Sequence, residues 1–200
     1  MSIPHDIDDP FDPRPGVDLP AAIEAAGDLL VALGMDLGRP GLADTPRRVA
    51  TALAEQLTPR PFHLTTFPND EAYDELVLAR DIRFTSLCEH HLLPFVGVAH
   101  VGYLPGERIV GLSKLARIVE LFSRRPQVQE RLTVQIADFI HGQLGPKGVG
   151  VVLEAEHMCM SVRGVRSSRS RTTTSSLTGL LRTDARSRQE FLALTTSPFA

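Results

Sequence analysis

Tryptophan is absent from this 200-residue chain, and cysteine and lysine occur only twice each. Two cysteines cannot build a disulfide scaffold, so the fold must rest on a buried core, and nothing in their pattern points to export. No apolar run approaches the ~18–20 residues a membrane-spanning helix needs. The first eighteen residues, MSIPHDIDDPFDPRPGVD, hold five Asp and no apolar core, so they do not read as a secretory signal. The expected location is the cytoplasm. An excess of basic charge is missing as well: Lys+Arg 21 against Asp+Glu 24 leaves a net charge of −3. That argues against broad electrostatic binding to nucleic acid. With 42% hydrophobic and 22% charged residues, the composition is that of a globular protein of one domain, or two small ones sharing a core.

Charge is unevenly placed. Apart from Lys114 and Lys147, every basic residue is Arg, and residues 163–188 hold seven Arg against one Asp. A local basic surface can hold an anionic ligand on a slightly acidic chain. Residues 1–18 read as an acidic, flexible arm. Apolar residues at Leu19, Ile23, Ala26, Leu30 and Leu33 repeat with a helical period that Gly34 ends. DTPRRVATALAEQL starts a second helix, with Thr45 expected as its cap and Pro46 in its first turn. Residues 19–57 are therefore expected to form a helical hairpin, followed by a connection over 58–79.

From residue 80 to 195 the pattern is strands, helices, strands. DIRFTSLCEHH and FVGVAHVGYLP read as strands broken at Pro94. SKLARIVELFSRR, with Ser113 as expected cap, and PQVQERLTVQIADFIHGQL, with Pro126 in its first turn, read as helices. GVGVVLEAEHMCMSVRG reads as a strand pair, RSRTTTSS as a further strand, and the region near Asp184–Ala193 as a short helix. The order predicts an α+β fold with an antiparallel sheet covered by a helix pair.

Both cysteines sit in short segments rich in ligand-type residues, Cys88-Glu89-His90-His91 and His157-Met158-Cys159. Thiolate and imidazole are donors that Zn²⁺ favours, and Cys88 and His91 can grip one ion if the chain turns after Cys88. Cys159 would be a third ligand. Three ligands plus water make a catalytic site; His90 or His157 as a fourth would make a closed structural one, and without a metal Cys159 is simply a small residue in an apolar strand. A second feature is GLSKLAR, where Ser113, Lys114 and Arg117 stand at a helix start, a plausible phosphate site that Arg163 and Arg166 could extend. A third is Gln129-Glu130: Glu130 reads either as a solvated charge or as the carboxylate that accepts from N1–H and N2–H₂ of guanine. Residue chemistry alone stops at the expectation of a zinc enzyme acting on something anionic.

At these residues the chain resembles the GTP cyclohydrolase I family. The matching stretches are DTPRRVA (44–50), SLCEHHLLPFVGVAHVGYLP (86–105), GLSKLARIVELFSRRPQVQERLT (111–133), HMCMSVRGVR (157–166), RTTTSSLTG (171–179) and RQEFL (188–192). The resemblance implies the tunnelling fold, an antiparallel sheet with two helices on one face that oligomerises into a barrel, here a homodecamer of two pentamers. It implies conversion of GTP and water to 7,8-dihydroneopterin triphosphate and formate, the entry to folate and other pterins. Carried over by position, Cys88, His91 and Cys159 would bind one Zn²⁺ per subunit, and His90 and His157 would be catalytic. Ser113, Lys114, Arg117 and Arg163 would contact the triphosphate, with Arg48 supplied from another subunit. Gln129 and Glu130 would read the guanine. His157 would protonate N7 as general acid, while His90 and Ser113 would serve proton transfers near the ribose. No motif position departs from the family pattern, and the short N-terminal part leaves little room for a regulatory domain. Two rivals remain at this level: a cyclohydrolase that stops at a formamide intermediate, and a non-catalytic protein that keeps fold and metal.

Overall fold

The structure is a computed structural model that describes residues 16–196. Most of the arm expected over residues 1–18 therefore lies outside the described residues. Contacts divide the chain into two units, Met1–Pro59 and Arg60–Ala200.

The first unit contains two helices, Leu19–Ala32 (α1) and Thr45–Leu57 (α2), packed on each other. Asp18 caps α1 by accepting the Ala21 N–H at 3.0 Å, and Gly34 follows the helix at φ +84°. At α2 the expected cap is displaced by one residue. Thr45 is already helical and Asp44 holds the cap position, but its carboxylate pairs with Arg47 (3.3 Å) and Arg48 (3.7 Å) instead of a helix N–H.

The second unit runs Thr66–Pro68 (β1), Val77–Cys88 (β2), Pro94–Leu104 (β3), Arg108–Val110 (β4), Leu112–Ser123 (α3), Pro126–Gln127 (β5), Gln129–Leu144 (α4), Gly148–His157 (β6), Met158–Ser161 (α5), Thr172–Leu177 (β7), Gly179–Thr183 (α6) and Ala185–Thr196 (α7). Five strands form one sheet in the order β5-β2-β3-β6-β7, antiparallel except for the short β5–β2 pair. The fold is α+β. Helices α3 and α4 lie on one face over the main core, where Phe84, Phe95, Ala99, Val101 and Tyr103 meet Leu115, Ile118, Phe122, Leu132, Ile136 and Ile140. Leu181 of α6 and Phe191 of α7 close a smaller cluster with Leu104 and Val152 on the opposite side.

Several local expectations change. The connection over 58–79 contains β1 and the start of β2. β1 pairs with β4, and the Gly111 N–H donates to Thr65 O at 3.2 Å, so this ribbon fixes where α3 begins. Gly111, not Ser113, holds the α3 cap position, leaving Ser113 exposed in the first turn. Pro126 lies on β5, not in a helix. A proline is tolerated there because it opens an edge strand. Only β6 forms where a strand pair is expected: His157 pairs with Phe95, and β3 begins just one residue earlier. With no partner left to pair, the chain turns into the single helical turn α5.

The opposite face depends on two glycines. Gly102 and Gly150 are register partners, and a Cβ at Gly150 would meet the Phe191 ring at 2.7 Å. Phe191 is fully buried. Gly150→Ala is therefore expected to destabilise the fold by ~1–3 kcal/mol through overpacking, measured by urea unfolding. Combining it with Phe191→Leu should be less damaging than adding the two single effects.

Candidate active site

The end of β2 delivers Cys88 into a tight turn. The Leu92 N–H donates to Cys88 O (2.8 Å), the His91 N–H to the same oxygen (3.2 Å), and the Cys88 N–H to Leu93 O (2.9 Å). Leu92 takes a left-handed φ of +53° to close it. The turn swings His91 back, with Nδ1 3.6 Å from Cys88 Sγ. From the other side of β3, the end of β6 and the turn α5 bring Cys159. Ligand atoms of Cys88, His91 and Cys159 all lie within 4.8 Å of one another, and among the described residues this is the group able to hold a metal ion. Neither His90 nor His157 joins it, which speaks for three protein ligands over a closed Cys₂His₂ set.

The donor chemistry fits a soft or borderline cation. Burial first, then the adjacent Cys88 thiol, pushes the Cys159 thiol up from its ordinary range, while the Arg163 charge pulls it down. Two thiols so crowded are short of positive charge, and a bound ion would supply it. Cys159 stands on α5 and is half-buried, not sealed in a strand.

His157 is held beside this group. Its ring stacks flat on Phe95, with centroids 4.6 Å apart at 4°. Its Nε2 is 2.7 Å from Gln129 Oε1. The Gln129 amide nitrogen donates to Leu153 O (3.2 Å), Thr172 O (2.9 Å) and Thr174 Oγ1 (3.1 Å). Those three acceptors fix the amide orientation, so Oε1 must accept and His157 Nε2 must donate. His157 Nδ1 is then the ring atom left for proton exchange. Burial lowers the His157 pKa, and the charge of Glu130 partly restores it. Gln129 is buried at the start of α4 with its side chain committed inside the fold, while Glu130 beside it is exposed.

A buttress behind the turn was not visible in the motif pattern. Arg131 pairs with Glu89 and donates from Nε to Gln127 Oε1 (3.0 Å), while the Glu89 N–H donates to Gln127 O (3.0 Å). The Arg131 guanidinium holds the Glu89 carboxyl below its usual range. Residues Gln127 and Arg131 thus tie the ligand turn to α4. His90 is largely exposed, with Nδ1 3.8 Å from Cys88 Sγ.

At the start of α3, Lys114 and Arg117 are half-exposed and Ser113 is exposed. Lys114 Nζ stands 6.0 Å from the Phe62 ring centroid. A cavity of about 770 Å³ opens beside this helix, with Arg60, Arg83, Arg117, Arg124 and Arg171 against Glu120 and Glu156 in its lining. It reaches Met158, next to two site residues, but not the three metal-group residues. Arg163 is exposed, and its charge is felt at Cys159. Arg48 belongs to the first unit, where it pairs with Asp44.

An α+β sheet that gathers a Cys-His-Cys group able to hold a metal ion, with a half-buried histidine two residues from one of its cysteines, is an arrangement found in metal-dependent enzymes. The sequence model of GTP cyclohydrolase I matches residues 22–196. GTP cyclohydrolase 1 of Mycobacterium ulcerans is 54% identical over 182 residues, 88% of this chain and 90% of that one. The Sulfurihydrogenibium protein of the same name is 52% identical over 168 residues, 84% and 90% of the two chains. That of Thermobifida fusca is 50% identical over 184 residues, 90% and 89%. The chain belongs to the GTP cyclohydrolase I family and is a hydrolase. Neither rival reading, the formamide-stopping enzyme or the non-catalytic protein, is favoured by this membership.

Proposed function

We propose that the chain converts GTP and water to 7,8-dihydroneopterin triphosphate and formate, the first step towards tetrahydrofolate and other pterins, with one Zn²⁺ per subunit. The observation that carries the reading is the convergence of Cys88, His91 and Cys159 within 4.8 Å, with His157 hydrogen-bonded next to them. When bound, zinc supplies the Lewis acidity that activates water towards C8 of the purine.

The chain's own residues do the rest. His157 holds its Nε2 proton on Gln129 and carries a second proton on Nδ1 to N7 as general acid. His90, open to solvent, and Ser113 serve proton transfers at the ribose. Ser113, Lys114, Arg117 and Arg163 hold the triphosphate, so binding energy far from C8 orients the base. Glu130 accepts from N1–H and N2–H₂ of guanine. Because the Gln129 amide is occupied inside the fold, this residue serves the chemistry by orienting His157.

Sheet edges support the oligomer. Among the described residues, β7 pairs only with β6, and β2 pairs on its outer side with β5 at Leu87 and Cys88 alone. Joining such edges between subunits into a barrel removes them. Leu29, Val31 and Leu33 around the end of α1 are 58%, 59% and 70% exposed, a surface that the α1–α2 hairpin would bury in an assembly. A homodecamer of two pentamers, with Arg48 crossing to a neighbour's site, accounts for both features. Among the described residues no helix is long and apolar enough to cross a membrane.

Incubation of metal-loaded protein with GTP tests the reaction: release of formate and a fluorescent oxidised neopterin is expected, and unchanged GTP would overturn it. Base reading has its own test. Glu130→Gln turns a charge-assisted pair into an amide whose NH₂ faces a donor, weakening GTP use by ~2–4 kcal/mol in kcat/KM while metal content stays normal. Wild-type kinetics in that variant would make Glu130 a solvated surface charge.

A further inference from the structure

Glu120 lies on α3 one turn beyond Arg117, with its side chain 15% exposed in the wall of the arginine-lined cavity. A carboxylate there is out of place next to a site for a triphosphate. Left alone with Arg117, it would cancel the cation that the substrate needs, since residues i and i+3 on a helix face meet naturally. The structure gives Glu120 a stronger partner. Arg60 clasps it with both arms of its fork, Nε to Oε1 at 2.6 Å and a terminal nitrogen to Oε2 at 2.8 Å. Arg117 touches the same carboxylate with a single, longer bond of 3.3 Å. Arg60 foremost holds the Glu120 carboxyl below the usual range, with Arg117 a smaller contributor.

We propose that Arg60 is a positioning residue for substrate binding: by saturating Glu120 with a bidentate pair, it leaves the positive charge of Arg117 available to the triphosphate. The inference rests on the reading of Arg117 as a triphosphate contact. Charge counting gives its content. Arg60, Arg117 and Glu120 together carry one net positive charge, whereas Arg117 and Glu120 without Arg60 carry none. A bidentate guanidinium–carboxylate pair outcompetes a monodentate one at equal charge, so the carboxylate stays with Arg60 when the anion arrives. The Arg60 side chain is 71% exposed, so its removal leaves no buried void and acts through charge.

The test uses metal-loaded enzyme, with the KM and kcat for GTP and the calorimetric Kd for inorganic tripolyphosphate as readouts. Arg60→Ala is expected to raise both KM and Kd about fivefold, the scale of one accessible ion pair, and to change kcat less than twofold. Adding Glu120→Gln to it removes the competitor and should return both constants to within about twofold of wild type. Arg60→Lys, which keeps charge without the fork, should fall between. Glu120→Gln alone should bind tripolyphosphate at least as tightly as wild type. Unchanged constants in Arg60→Ala, a double variant as weak as the single one, or weaker binding by Glu120→Gln would each overturn the proposal. Arg117→Ala separates the two levels. If it binds tripolyphosphate like wild type, the triphosphate reading of Arg117 falls and takes the role of Arg60 with it. If it binds weakly while Arg60→Ala does not, only the role of Arg60 falls.

Discussion

Cys159→Ser is expected to empty the metal group and abolish formate release, a loss on the order of a thousandfold or more in kcat. The group offers three donors and no fourth side chain among the described residues, so nothing replaces a lost thiolate. A serine hydroxyl stays protonated near neutral pH and is a poor partner for a borderline-soft ion. Cys88→Ser should have the same outcome, with an added stability cost because Cys88 is 6% exposed within the main core. Elemental analysis of each purified variant, read beside its turnover, checks the expectation. Full metal content with no activity would show that the thiol does more than hold the ion.

The second large effect is expected at Gln129, although its side chain is buried away from solvent. Gln129→Leu strips His157 of the acceptor that fixes its tautomer and strips Leu153 O, Thr172 O and Thr174 Oγ1 of a donor. Unpaired buried groups of this kind cost ~1–3 kcal/mol each when no water replaces the partner, so the melting temperature should fall clearly. Turnover should fall further, by about 10²–10⁴-fold, the usual contribution of a positioned general acid. Metal content should stay normal, because the amide lies outside the ligand group. A variant that melts lower yet turns over GTP at the wild-type rate would reduce Gln129 to a structural role.

The helices α3 and α4 were legible in the sequence because their apolar residues keep a 3.6-residue period over three or more turns. So was the metal group, since both cysteines of the chain lie in segments dense with histidine. The turn after Cys88 that this grouping required is present. Less legible were features set by partners distant in sequence. β1 is three residues long and exists by pairing with β4. Pro126 resembles a helix opener locally, but β2 offers it a strand neighbour. Ser113 has the chemistry of a cap, yet the β1–β4 ribbon places Gly111 there. Gln129 carries no sign in its own neighbourhood that its amide joins α4, β6, β7 and His157. Arg60 and Glu120 are sixty residues apart, and no periodicity links them.

The paired glycines beneath Phe191 have a consequence for how the chain finds its register. Strands β3 and β6 are long and rich in valine, so a slip by two residues would keep every side chain on its own face and forfeit little pairing. In one of its two directions such a slip sets Val152 where Gly150 stands, directly under the ring; in the other it sets Gly148 there. The docked ring rejects the Val152 alignment, because a Cβ at the Gly150 position would already meet it at 2.7 Å. Helix α7 is therefore expected to dock late in folding and to select against that one misalignment. Phe191→Ala should leave the refolding rate nearly unchanged and speed unfolding, the kinetic mark of a contact made after the main barrier.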